Sequence, residues 1–335
     1  MTILVVVTSC GVGGDGVELG DPVPTIFPVD EPTPGAAEAS STTSSATSTT
    51  SVPVSELLPR LRDDGEARVV ITPTGVVVGV IGTTDRGWSV RTPCGVEVEL
   101  TEGTPLSAAH VVLDPGHGGS ETGAVGPNDI RESDLNLTVA RLVADELESM
   151  GVAVVLTRTT DVRITLASRA LVATALDAPA FVSIHHNADP AGRSDWPGSE
   201  AWYQIADGES RRLAGLVYEE VLAALEVFDV DWVSDTDAGA KYRLNQRGTD
   251  YYGILRNAAG VPSVLAELAF ISNPAEAELL ATGEMRSAEA GAVARGILRF
   301  LTSADPGSGF VEPYERVEPA GPGGGAEGCE DPPLQ

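Results

Sequence analysis

Of 335 residues only four are histidine and three are cysteine, aromatics make up 5%, and Lys plus Arg number 21 against 49 Asp plus Glu. Each scarcity narrows what the chain can do. A formal charge of -28 sets up a field that repels phosphate, which argues against nucleic acid or an anionic membrane face as partner. Beyond the first ten residues no stretch is apolar enough to span a bilayer. Few aromatics alongside abundant Ala, Val, Leu and Gly suit an α/β protein. The length leaves room for one medium domain plus extras, enough to bury a real core.

The cysteines are Cys10, Cys94 and Cys329. "TILVVVTSC" is a short apolar run ending in small residues, and Val7-Thr8-Ser9-Cys10 resembles a bacterial lipobox. The expectation is a signal over 1–10, export, and a lipid on Cys10, although the segment lacks the basic start that export signals carry. An exported compartment then favours pairing the other two cysteines as a Cys94–Cys329 bridge. Residues 11–53, with "SSTTSSATSTTS" at their middle, cannot bury enough apolar surface to offset chain entropy and read as a disordered tether. Residues 54–107 carry short Val-rich runs split by Pro-Thr-Gly, Gly-Thr-Thr and Pro-Cys-Gly turns, which predicts a small all-β unit of three or four strands that braces the larger domain.

From Val111 to Thr302 strands and helices alternate. Candidate strands are Val111–Asp114, Val152–Thr157, Ala180–His185, Glu200–Ile205 and Ser263–Leu268, with a sixth near Gly253–Arg256. The clearest helix runs from Ser133 to Met150, with Leu135, Val139, Leu142, Val143 and Leu147 on one face and Gly151 as its stop. Others fall near Leu166–Leu176, Glu209–Leu225 and Glu284–Leu301. The predicted fold is α/β: a mostly parallel six-stranded sheet flanked by helices over residues 108–303, then a Pro/Gly-rich tail over 304–335.

In such sheets ligands bind beyond the carboxyl ends of the strands. There "LDPGHGGSETG" presents His117 between glycines, "IRESDLNL" places Glu132 at a helix start, "FVSIHHNADP" ends a strand on His185 and His186, and "PSVLAELAF" sets Glu267 among apolar neighbours. Singly these decide nothing. His117 can serve a loop hydrogen bond, Glu132 can answer the helix dipole, and Glu267 can pair with a cation such as Arg256. An apolar strand seldom hosts an unpaired Glu, however, because burying its charge costs several kcal/mol, roughly, unless a partner or a function holds it. Together, two imidazoles and one carboxylate match the open-position ligand set of a catalytic zinc site, with the second carboxylate as general base.

In order along the chain, "VVLDPGHGG", "ESDLNL", "VVLTRTTD", "LASRALVA", "FVSIHHNA", "GSEAWY", "NQRG" and "PSVLAELAFISNP" resemble zinc-dependent N-acetylmuramoyl-L-alanine amidases of the Amidase_3 type, over about Val111–Leu301. The resemblance implies one Zn²⁺ per chain held by His117, Glu132 and His185, with Glu267 as the catalytic carboxylate. The implied reaction is hydrolysis of the amide between the lactyl group of N-acetylmuramic acid and L-Ala of the stem peptide, with peptidoglycan as partner. A zinc peptidase acting on the stem peptide and a non-catalytic wall-binding protein are the alternatives. Arg158 and Arg169 match the family's arginine positions and are expected to pair with Asp161 or nearby carboxylates. Many members carry a stretch that blocks the zinc until an activator binds; 188–198 is too short for a long blocking helix. Where the family has a small residue, this chain has His186. Because strand side chains alternate faces, His186 is expected at the rim of the site, as a candidate substrate contact.

Overall fold

The computed structural model describes residues 53–62, 64–232, 238–312 and 324–335. The signal, Cys10 and the tether lie outside the described residues. A short helix α1 (Val54–Leu57) precedes five strands: β1 (Val69–Ile71), β2 (Val77–Thr83), β3 (Trp88–Arg91), β4 (Glu97–Leu100) and β5 (Thr104–Leu106). They form an antiparallel sheet in the order β4-β3-β2-β1-β5. That is one or two strands more than the turn spacing predicts. The added strand, β5, is three residues long with Pro105 in it, on an edge where a missing N–H is tolerated.

The two faces of this sheet do different things. Val70, Val76, Val78, Val90 and Leu100 close a small core of their own, with Trp88 packed against it. Val69 and Val77 join the core of the larger domain. Cys94 and Cys329 are disulfide-bonded, with Cα atoms 5.6 Å apart across 235 residues of sequence. Asp331 accepts hydrogen bonds from Cys94 N–H and Thr92 Oγ1, and Arg163 donates to the carbonyls of Gly325 and Glu327. The end of the chain is thereby tied both to the small sheet and to the larger domain.

The larger domain runs β6 (Val111–Pro115), α2 (Glu132–Ser149), β7 (Val154–Leu156), α3 (Leu166–Leu176), β8 (Ala180–Asn187), β9 (Glu200–Tyr203), α4 (Gly208–Leu225), β10 (Gly239–Lys241), α5 (Gly253–Asn257), β11 (Ser263–Phe270), α6 (Pro274–Leu280) and α7 (Gly283–Thr302). Its six strands are ordered β10-β9-β11-β8-β6-β7, parallel throughout except for the β9–β11 pair. The apolar runs of β6, β8 and β11 are buried on both faces, as a covered parallel sheet requires. Val111, Leu113, Val182, Ile184, Val264 and Ala266 face α2, α4 and α7. Val112, Phe181 and Leu265 face α3, α5 and the small sheet.

One strand assignment is corrected. Gly253–Arg256 belongs to helix α5, and the sixth strand is β10, "GAK", whose sequence carries no strand signal. β10 forms because β9 pairs with it on one side and Phe310 of the tail bridges it on the other, while Glu200 receives its buried lysine.

Behind the carboxyl edge of the sheet, fully buried Glu276 of α6 accepts N–H bonds from Phe270 (2.6 Å) and Gly198 (3.2 Å). Burial nonetheless pushes its carboxyl up to about 8, with Glu289 adding repulsion. A carboxyl raised on folding binds its proton more tightly in the native state, so stability is fully present below the unfolded pKa and is lost as pH climbs through about 8. Glu276→Gln is expected to flatten the unfolding free energy between pH 5 and 8, removing up to about 1.4 kcal/mol per pH unit of slope. Urea melts across that range check it; an unchanged slope contradicts it.

Candidate active site

Four segments deliver the site to the carboxyl edge. His117 follows β6 in a left-handed backbone conformation (φ 59°), which a non-glycine residue adopts at a cost, and such strain concentrates at functional sites. Glu132 opens α2, where the N-terminal dipole favours a carboxylate. His185 lies near the end of β8, and Glu267 sits opposite it in the β8–β11 register. Two glycines make room. A Cβ on Gly116 would fall 2.2 Å from the His185 ring, and one on Gly123 would fall 2.4 Å from Glu132 Oε2 and 2.7 Å from His117 Cδ2.

Glu132 is 4% exposed. Its Oε1 lies 3.0 Å from His185 Nδ1 and 3.2 Å from His117 Nε2, and its Oε2 accepts the Ala124 N–H at 2.9 Å. The two imidazoles meet edge to face, with centroids 4.9 Å apart. One ligand atom from each of His117, Glu132 and His185 lies within 4.8 Å of the others. Both imidazoles hold the Glu132 carboxyl well below the usual range against the opposing effect of burial. Burial depresses His185, with His117 adding to that; His117 is raised because its bonds and charge interaction with Glu132 outweigh burial.

Glu267 behaves in the opposite sense. Burial pushes its carboxyl well above the ordinary range, and the charges of Glu132 and Glu200 push it further. Its Oε2 is enclosed and has no hydrogen-bond partner among the described residues. Arg256, the cation the sequence offers it, donates instead to the carbonyls of Asp250 and Tyr251.

The arginines brace the edge. Arg169 pairs with Asp114 at 2.8 Å, both side chains buried, and donates to the carbonyls of Ile164, Pro115 and His117. Thr157 and Ser183 also donate to Asp114. Arg158 differs from expectation: it binds the carbonyls of Pro115, Thr160, Gly116 and Ser133, and no carboxylate contact is seen among the described residues. Burial and the neighbouring Arg169 lower it to about 10.

Two features run against or beyond what the sequence predicts. Glu200 opens β9 beside Glu267 and binds Lys241 Nζ (2.9 Å), Asn187 Nδ2 (2.7 Å) and Trp202 Nε1 (3.2 Å), with Lys241 fully buried. The signal was available, since Glu200 stands in "GSEAWY" as Glu267 stands in "VLAELAF": a carboxylate inside an apolar strand. The other is His186, which corrects the expectation of a rim residue. It is 1% exposed and points to the opposite face of the sheet, under α2 and α7, where substrate has no access. Residues 188–198 form no helix, so nothing of that kind covers the edge.

The donor set fits zinc. Two imidazole nitrogens and one carboxylate oxygen converge, a fourth position is left for a reacting group, and an unpartnered carboxylate oxygen stands alongside. Known proteins agree with this geometry. The profile of the Amidase_3 family, N-acetylmuramoyl-L-alanine amidase, matches residues 111–299. The protein YqiI of Bacillus subtilis is 35% identical over 216 residues, 63% of this chain and 95% of its own. The germination-specific N-acetylmuramoyl-L-alanine amidase of the same organism is 30% identical over 218 residues, 60% of this chain and 84% of its own. Among solved structures, Cwp6 from Clostridium difficile superposes with a TM-score of 0.51 at 32% identity, over 57% of this chain and 29% of that one. The small β sheet and the disulfide-linked tail lie outside the family match. From Val111 to Arg299 this chain belongs to the N-acetylmuramoyl-L-alanine amidase family.

Proposed function

We propose that the protein is a zinc-dependent amidase that hydrolyses the bond between the lactyl group of N-acetylmuramic acid and L-Ala of the stem peptide. The observation that carries this reading is the convergence of His117, Glu132 and His185 around one carboxylate oxygen, with Glu267 enclosed beside them. His117, Glu132 and His185 would hold the metal. Zinc held there supplies Lewis acidity, acidifying water and polarising an amide carbonyl. Glu267, whose environment raises its proton affinity, is suited to take a proton from the attacking water and deliver it to the departing amine. Water oxygen bonds to the carbonyl carbon, the C–N bond breaks, and a lactyl carboxylate and the free amine of L-Ala result. Arg158 and Arg169 keep the carbonyls of 115–117 in place, so that His117 is presented by a fixed turn.

The proposal includes export and a lipid on Cys10, which would hold the catalytic domain at the outer face of the cytoplasmic membrane. Among the described residues no helix is long and apolar enough to cross a membrane. Stripping the metal with a chelator is expected to abolish release of peptides from purified peptidoglycan, and added zinc to restore it. Full activity after complete metal removal would sink the reading.

A further inference from the structure

On the face of the sheet away from Glu267, a run of buried polar side chains leads from helix α7 to the candidate metal ligand. Glu289 of α7 is fully buried, and its carboxylate oxygens lie 3.4 and 3.5 Å from His186 Nε2. His186 Nδ1 lies 2.8 Å from Asn136 Oδ1. Asn136, also fully buried, directs its Nδ2 to Glu132 Oε1 and to the Gly116 carbonyl, each at 3.3 Å. The backbone N–H of His186 reaches the same Glu132 oxygen at 3.4 Å.

We propose that His186 and Glu289 are positioning residues: they fix the side-chain amide of Asn136 so that its NH₂ is held on the carboxylate of Glu132. This role rests on the reading of Glu132 as a metal ligand. A carbonyl oxygen can only accept, so the 2.8 Å contact to Asn136 Oδ1 requires a hydrogen on His186 Nδ1. Nε2 then shares a proton with Glu289, whichever of the two carries it, which gives a buried carboxyl its partner. Rotating the Asn136 amide by half a turn would set Oδ1 against Glu132 Oε1 and the Gly116 carbonyl, acceptor against acceptor on both. An apolar residue at 186 would leave Oδ1 without a donor in a dry interior, which costs about 1–3 kcal/mol and removes the preference for one orientation. Outer partners of this kind set the direction and basicity of the ligand they touch.

The experiment compares zinc affinity of the full chain, by chelator competition, for wild type, His186→Leu and His186→Asn, with cobalt(II) absorption spectra of each. Asn can present an N–H where Nδ1 stood. His186→Leu is expected to weaken zinc binding about 10- to 100-fold and to shift the cobalt bands, while His186→Asn recovers most of the affinity. Wild-type affinity and an unchanged cobalt spectrum in His186→Leu overturn the proposal, as does an equal loss in both variants. Should His186→Leu not fold, Asn136→Ala, which leaves the histidine paired with Glu289, must show the same loss, and its absence is equally fatal. Wild-type protein that takes up no zinc defeats the reading of the site itself, and this inference with it.

Discussion

Glu267→Gln is expected to lower kcat about 10²- to 10⁴-fold, the span typical of losing a general acid–base, while zinc content stays at one per chain and the protein becomes no less stable. The side chain keeps its shape, so the β8–β11 register opposite His185 is undisturbed. What disappears is the group able to accept a proton and return it. The stability arm separates this from collapse of the site. The Glu267 carboxylate is pressed by Glu132, by Glu200 and by burial, and its Oε2 has no partner among the described residues. A neutral amide relieves that repulsion, so the denaturation midpoint should hold or rise as activity falls. Unaltered kcat would remove Glu267 from the chemistry, and lost zinc would show that its role is structural.

Arg169→Met carries the largest expected effect on stability, about 3–5 kcal/mol, the range for removing one partner of a buried ion pair. The guanidinium binds Asp114 and three carbonyls, and only Thr157 and Ser183 would remain to hold the Asp114 charge. Arg169 and its other donors hold the Asp114 carboxyl below the ordinary range against burial. That contribution is therefore present above the unfolded pKa and is lost as pH falls through the folded one. Lysine is a poor substitute, since three ammonium hydrogens cannot reproduce a planar fork serving four oxygens. Urea denaturation checks the prediction: the midpoint should drop with the slope unchanged. Asp114→Asn in the same chain should recover part of the loss, because the orphaned charge goes with it. Loss below 1 kcal/mol would mean that the pair is not what holds α3 to the end of β6.

Particular elements show why some of this could be read from sequence and some could not. β6, β8 and β11 are continuous Val/Ile/Leu runs, and a strand buried on both faces writes that pattern plainly. The site residues stood out because each violates its local surroundings: a histidine among glycines, a carboxylate in an apolar strand. β10 was illegible because "GAK" becomes a strand only through partners far along the chain, and "GILRN" misled because five residues of mixed polarity fit either a short helix or a strand. The alternation along β8 does place His186 on the face of Val182 and Ile184. What the pattern does not contain is α7 lying over that face, since Glu289 is 103 residues away.

The most direct test of the account is mass analysis of purified peptidoglycan digested by the zinc-loaded chain. The account predicts intact stem peptides with a free amino group on L-Ala, together with glycan whose lactyl carboxylates are unsubstituted. Shortened stems still joined to muramic acid, or tight binding with no peptide released, would contradict it.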